Sequence, residues 1–152
     1  MIVIGVDPGA VSAAWGLIPP DLDGGVMSAS CGQLPVADRM VDARAFWRVV
    51  SLFRPTHAVV ERVHAFPKQG VSSSFRFGMG YGLILGVLNA SGAVLIDVTP
   101  GLWKKYFRLD SDKEKARSLA VKRFPHVDLH RKQDAGMAEA LLLALWHRET
   151  SA

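Results

Sequence analysis

A chain of 152 residues with 49% hydrophobic and 21% charged side chains can bury a full core and is too apolar to be disordered. One cysteine excludes a disulfide framework, and a net charge of +4 favours a polyanionic partner over a cationic one. The expectation is a single domain over residues 1–152 in a reducing cytoplasm. No signal segment is expected, because the N-terminus has no basic stretch and enters a strand at once.

Residues 2–9 read Ile-Val-Ile-Gly-Val-Asp-Pro-Gly, a buried strand that ends on a lone carboxylate, Asp7, before a Pro-Gly turn signal. An ionised carboxylate among Val and Ile is costly unless a positive group meets it. Asp7 is therefore either a turn cap or the first ligand of a cation. Residues 10–18 and 25–33 read as two further strands, joined through Pro19-Pro20-Asp21 and Asp23-Gly24-Gly25, which gives an antiparallel meander. Residues 38–53 carry helical periodicity, with Pro35 and Asp38 where a helix start is expected and Pro55 closing it.

A β-branched strand over 57–63 follows, with Glu61 near its end. The loop at 65–70 leads to Ser72-Ser73-Ser74 as a helix cap, and the helix over 74–90 places Gly78, Gly82 and Gly86 in one ridge. Each such glycine costs ~1 kcal/mol in a helix interior, so the ridge implies close approach to the sheet or to a second subunit. The stretch 77–96 has no charged residue, but its glycines and the Asn-Ala-Ser-Gly break at 89–92 read as a buried helix and strand rather than a membrane span. Residues 93–98 form the fifth strand. Short basic helices over 101–107 and 111–124, the second capped by Ser111, precede a last helix over 135–147. The order gives an α/β protein with a five-stranded mixed sheet flanked by helices.

Four carboxylates stand at the ends of these elements. Asp7 closes the first strand and Glu61 the fourth; Asp134 precedes the last helix, and Glu139 lies inside it on a stripe with Leu142, Leu143 and Trp146. Each has an ordinary reading: a turn cap, a surface pair with Arg62, a helix N-cap, and a side chain reaching to solvent. As a set they suit hard divalent cations, which take oxygen ligands. The segment from Arg62 to Arg108 holds Arg62, Lys68, Arg76, Lys104, Lys105 and Arg108 against Asp97 alone, +5 within 47 residues. Of these, Lys68, Arg76, Lys104 and Lys105 are the expected phosphate contacts.

At this point the chain resembles the RuvC-type Holliday junction resolvases of the RNase H-like superfamily. The resemblance rests on the opening strand with Asp-Pro-Gly, the Val-Val-Glu-Arg-Val strand and the closing Asp-x-x-x-Ala-Glu-Ala-Leu-Leu-Leu-Ala helix. VHAFPKQGVSSSFRFGMGYG at 63–82, VTPGLWKK at 98–105 and RKQDAGMAEALLLA at 131–144 resemble its phage and prophage branch more narrowly. The resemblance implies an RNase H-like fold. It implies Asp7, Glu61, Asp134 and Glu139 as ligands of Mg²⁺ or Mn²⁺, two ions per site. It also implies cleavage of four-way junction DNA to 5′-phosphate and 3′-hydroxyl ends by a homodimer.

Many relatives have two acidic or acid/His positions three residues apart in the last helix. Here the position three before Glu139 is Gly136, so Asp134 must substitute, with His130 as a fallback. An aromatic wedge that opens the junction is expected just after Glu61, where His64 and Phe66 lie and Phe66 is the better stacking residue. A phage-encoded copy would work in the host cytoplasm. Two other readings stand beside this one: an RNA-processing, YqgF-like nuclease, and an inactive junction-binding module. An actin-like ATPase is not expected, because 152 residues cannot hold two such domains.

Overall fold

The computed structural model describes residues 1–9, 12–20, 28–65 and 67–151. Phe66, the turn signals at 21–25 and the outer ends of the second and third expected strands lie outside the described residues. The main sheet contains β1 (Val3–Asp7), β2 (Ala14–Ile18), β3 (Ser30–Gln33), β6 (His57–Glu61) and β7 (Val94–Val98), in the order β3-β2-β1-β6-β7. β1, β2 and β3 form an antiparallel meander, and β6 and β7 extend it parallel to β1. This is the expected five-stranded mixed sheet.

A small hairpin, β4 (Val36–Ala37) with β5 (Met40–Val41), precedes α1 (Ala43–Phe53). The periodicity had assigned residues 38–41 to the helix. Asp38 and Arg39 instead take left-handed φ of 51° and 64°, which a helix cannot contain but a two-residue hairpin turn requires. The true cap is Asp42, whose carboxylate accepts from the Ala45 N–H at 2.9 Å.

α2 (Val71–Ala90) starts at Gly70 with no side-chain cap, so the three serines sit in its first turn rather than before it. It is long and apolar enough to cross a bilayer by length and composition. In the fold it buries Gly80, Ile84 and Leu88 and packs with α1, β5 and β7. α3 (Pro100–Tyr106) follows β7 directly, and α4 (Lys113–Arg123) is capped by Asp112 rather than Ser111, through the Glu114 N–H. A 3₁₀ turn (Lys132–Asp134) leads into α5 (Ala135–Thr150).

Two cores lie on opposite faces of the sheet. Ile4, Val6, Ala58 and Val60 pack with Phe46, Val50, Ile84 and Leu88 of α1 and α2. Val3 and Val59 pack with Trp103, Ala116, Phe124 and the apolar body of α5. Residues 138–145 of α5 are buried on every side, which requires close seating on the strands. Gly5 and Gly16, paired across β1 and β2, provide it. A Cβ on Gly5 would lie 2.1 Å from the Ala140 carbonyl oxygen, and one on Gly16 would lie 2.5 Å from the Leu141 nitrogen. The two glycines make a trough in which the α5 backbone rests.

Candidate metal centre

Strand alternation decides which carboxylates can meet. Val3, Gly5 and Asp7 face α5, and so do Val59 and Glu61 on β6, in register with β1. Asp7 and Glu61 thus leave the C-terminal ends of adjacent parallel strands on the same face. α5, seated in the Gly5–Gly16 trough, brings Glu139 to that end. The Asp7 carboxyl senses the charges of both Glu139 and Glu61, and the Glu61 carboxyl senses Glu139.

All three are withdrawn from water to different degrees: Asp7 is 6% exposed, Glu139 is 4% exposed and Glu61 is half-buried. Burial, reinforced by Glu139 and Glu61, pushes the Asp7 carboxyl up to about 7, although Lys113 and the Gly9 N–H (3.1 Å to Oδ1) pull the other way. Burial also raises the Glu61 carboxyl, against a hydrogen bond donated by Trp103 Nε1 to Glu61 Oε2 at 2.7 Å. Trp103 is fully buried.

Glu139 is met by two lysines. Lys104 Nζ lies 2.9 Å from Oε1 and Lys113 Nζ lies 3.7 Å from Oε2. The Lys104 contact is ionic without hydrogen-bond alignment, so Oε1 is a buried oxygen with no hydrogen-bond partner. Lys104, expected as a phosphate contact, therefore sits at the carboxylate cluster, with its side chain only 17% exposed. Lys113 escaped the sequence reading; only its place in the first turn of a helix after a basic segment could have pointed to it.

Asp134 goes elsewhere. Its carboxylate accepts from the Arg131 backbone N–H at 2.9 Å and from the Arg131 guanidinium at 2.9 Å. Burial alone would raise its pKa, but Arg131 outweighs that and holds it below the usual carboxylate range. The position that faces Asp7 is Gly136: a Cβ there would lie 3.4 Å from Asp7 Oδ2. The fallback His130 is exposed, and its carbonyl accepts from Arg117.

Lys68, Arg76 and Lys105 are exposed, as expected of phosphate contacts. Lys105 lines a basic cleft with Lys104 and Arg108 beside the cluster. Among the described residues, no three Asp, Glu, His or Cys side chains already form a coordinating group. The donor chemistry still fits a hard cation: three carboxylates on one face, two of them raised by burial first and by the neighbouring carboxylate charge after it.

No protein-family model matches the sequence. Among curated relatives, the crossover junction endodeoxyribonuclease RuvC of Nitratidesulfovibrio vulgaris (strain DP4) is 32% identical over 109 residues, covering 68% of this chain. The match spans 64% of that relative, a little under two thirds of its length. The enzyme of the same name from Methylobacterium radiotolerans is 29% identical over 154 residues, 95% of this chain and 72% of the relative. Among solved structures, T. thermophilus RuvC in complex with a Holliday junction substrate superposes with a TM-score of 0.73 at 20% identity, covering 99% of this chain and 95% of that one. The fowlpox virus resolvase in complex with Holliday junction DNA gives 0.63 at 17% identity, covering 97% and 99%. At these identities the superpositions establish the shared fold.

Proposed function

The chain belongs to the RuvC-type Holliday junction resolvases, and on that premise we propose that it is a metal-dependent endonuclease resolving four-way DNA junctions by paired symmetric nicks. The observation that carries this reading is the convergence of Asp7, Glu61 and Glu139 at the C-terminal end of β1 and β6, with Asp7 and Glu139 buried. Asp7, Glu61 and Glu139 would hold Mg²⁺ or Mn²⁺, two ions per site. Ions bound there supply an activated water and stabilise charge on the attacking and leaving oxygens of the phosphodiester.

The chain's own residues set the conditions. Trp103 fixes the Glu61 carboxylate through one oxygen and leaves the other free. Lys104 and Lys113 hold positive charge at the cluster and reduce its repulsion of a phosphodiester. Lys105 and Arg108 extend the positive surface away from it. Asp134 shapes the entry to α5 and takes no part in the chemistry.

Two symmetric nicks call for two sites, hence a C₂ homodimer. α2 supports this. Gly78, Gly82 and Gly86 face open space rather than the sheet, Phe75 is exposed beside them, and Trp47 and Met79 line an adjoining apolar groove. The deciding experiment is incubation of the chain with Mg²⁺ and a mobile four-way junction, flap, linear duplex and RNA–DNA hybrid, with nick positions mapped. The reading requires paired nicks at symmetric positions in the junction. Preference for the hybrid would favour an RNA-processing nuclease, and binding without cleavage would favour an inactive module.

A further inference from the structure

A cleft of about 400 Å³ opens between the β4–β5 hairpin and α2, on the α1/α2 face of the sheet. Its volume falls within the ~300–1,000 Å³ of small-ligand sites. Pro8 and Gly9, the two residues after Asp7, form its inner edge. Arg39 from the hairpin turn lines it together with Arg76, Phe77 and Tyr81 from α2. Among the described residues, no acidic side chain lines it. Neither arginine makes an ion pair or hydrogen bond among the described residues, although five other arginines do, Arg62, Arg117, Arg123, Arg131 and Arg148.

The position of Arg39 adds a second observation. It occupies a left-handed turn position at φ 64°, where glycine would be free of strain and a long side chain is not. The backbone therefore gives no reason for arginine there. The hairpin turn brings Arg39 into the lining of the cleft that Arg76 also lines. Two guanidiniums from separate elements that line one cleft together with Phe77 and Tyr81 match a phosphate joined to a planar apolar group.

We propose that this cleft is a nucleotide subsite: Arg39 and Arg76 take a phosphate of the bound strand next to the cut, while Phe77 and Tyr81 wall the attached sugar and base. The assignment rests on the endonuclease reading and extends it to the strand flanking the carboxylates. Because Gly9 edges the cleft, a nucleotide held there fixes how the neighbouring phosphodiester meets Asp7. The hairpin thus becomes a positioning element for the strand.

The test uses the full chain carrying Asp7→Asn, so that DNA is bound without being cut, with a fluorescent four-way junction titrated over a range of salt. Arg39→Gly and Arg76→Gln should each weaken junction binding roughly tenfold and reduce the slope of log K against log salt by about 0.9, while Arg39→Lys and Arg76→Lys keep the slope. Arg39→Gly should melt no lower than its parent, because glycine accepts the left-handed turn, so lost binding cannot be assigned to unfolding. 2-Aminopurine placed beside the mapped nick should brighten on binding to the parent and not to the double variant Arg39→Gly/Arg76→Gln. Unchanged affinity and slope in both single variants, or no brightening at any flanking position, overturns the subsite. If the parent itself binds junction no better than linear duplex, the endonuclease reading fails instead, whatever the arginine variants do.

Discussion

The indole of Trp103 donates to Glu61 Oε2 at 2.7 Å from a side chain that is fully buried, so one oxygen of this carboxylate is fixed by the core itself. Hydrogen bonds of this kind orient metal ligands and typically account for ~10–100-fold in metal affinity or activity. Trp103→Phe retains an aromatic ring and removes the donor. Its Mg²⁺ affinity, read calorimetrically and as the metal-induced rise in Tm, should fall by ~10–100-fold, with cleavage falling alongside. Unaltered metal affinity in a folded variant would reduce Trp103 to a packing role.

The raised Asp7 carboxyl makes stability depend on pH in a definite direction. Its folded pKa of about 7 lies above the ordinary 3.8, so the folded state holds the proton more tightly than the unfolded chain. The contribution is fully present below pH 3.8 and is lost as pH rises through about 7. Asp7→Asn keeps an acceptor for the Gly9 N–H and removes the buried charge. In chelator it should be more stable than the parent at pH 8, by roughly 2–4 kcal/mol, and the difference should vanish near pH 4. Urea unfolding at the two pH values measures both. The same variant should lose cleavage by at least about a hundredfold.

The Asp134 carboxylate is engaged by Arg131, and the proposed site leaves it out. Asp134→Asn weakens the contacts to Arg131 and should cost about 1–2 kcal/mol, yet leave cleavage within a few-fold of the parent. Glu139→Gln should abolish cleavage. A loss of comparable size in Asp134→Asn, measured in folded protein, would restore Asp134 to the metal site. The lowered Asp134 pKa also sets a sign: its stabilisation is present above the ordinary 3.8 and is lost as pH falls through the lower folded value.

Gly136 suggests the converse experiment. Gly136→Asp would place a fourth carboxylate beside Asp7. Without metal the added like charge should lower Tm at pH 8; with Mg²⁺ the rise in Tm should exceed that of the parent. A metal-induced rise no larger than the parent's would show that position 136 does not face the bound ion.

The α2 ridge can be tested in both states of assembly. Gly82→Ala and Gly86→Ala meet open space within the chain, so each should stabilise an isolated copy by about 0.5–1 kcal/mol. If the ridge is the dimer contact, the same changes should weaken association in sedimentation equilibrium. A dimer unaffected by both would move the interface elsewhere.

The sequence alone determined the parts of this protein that follow from local pattern. Apolar, β-branched runs at 2–7 and 57–61 put Asp7 and Glu61 at the ends of buried strands, and the order of these motifs, with the last helix, carried the family resemblance. The antiparallel meander and the five-stranded mixed sheet followed from the order of strands and helices. The hairpin was hidden because residues 36–41 are too short to show a period, and Arg39 gives no turn signal of the kind glycine would.

Tertiary structure decided which carboxylates meet. Gly5 and Gly16 let α5 lie against the strands, and that contact fixes the helix's rotation. With the rotation fixed, Gly136 and Glu139 face the sheet end, while Asp134 turns to Arg131. The same packing brings Trp103 to Glu61, and Lys104 and Lys113 to Glu139, from segments far apart in sequence. No periodicity within a segment encodes those meetings, because they depend on how closely two backbones approach.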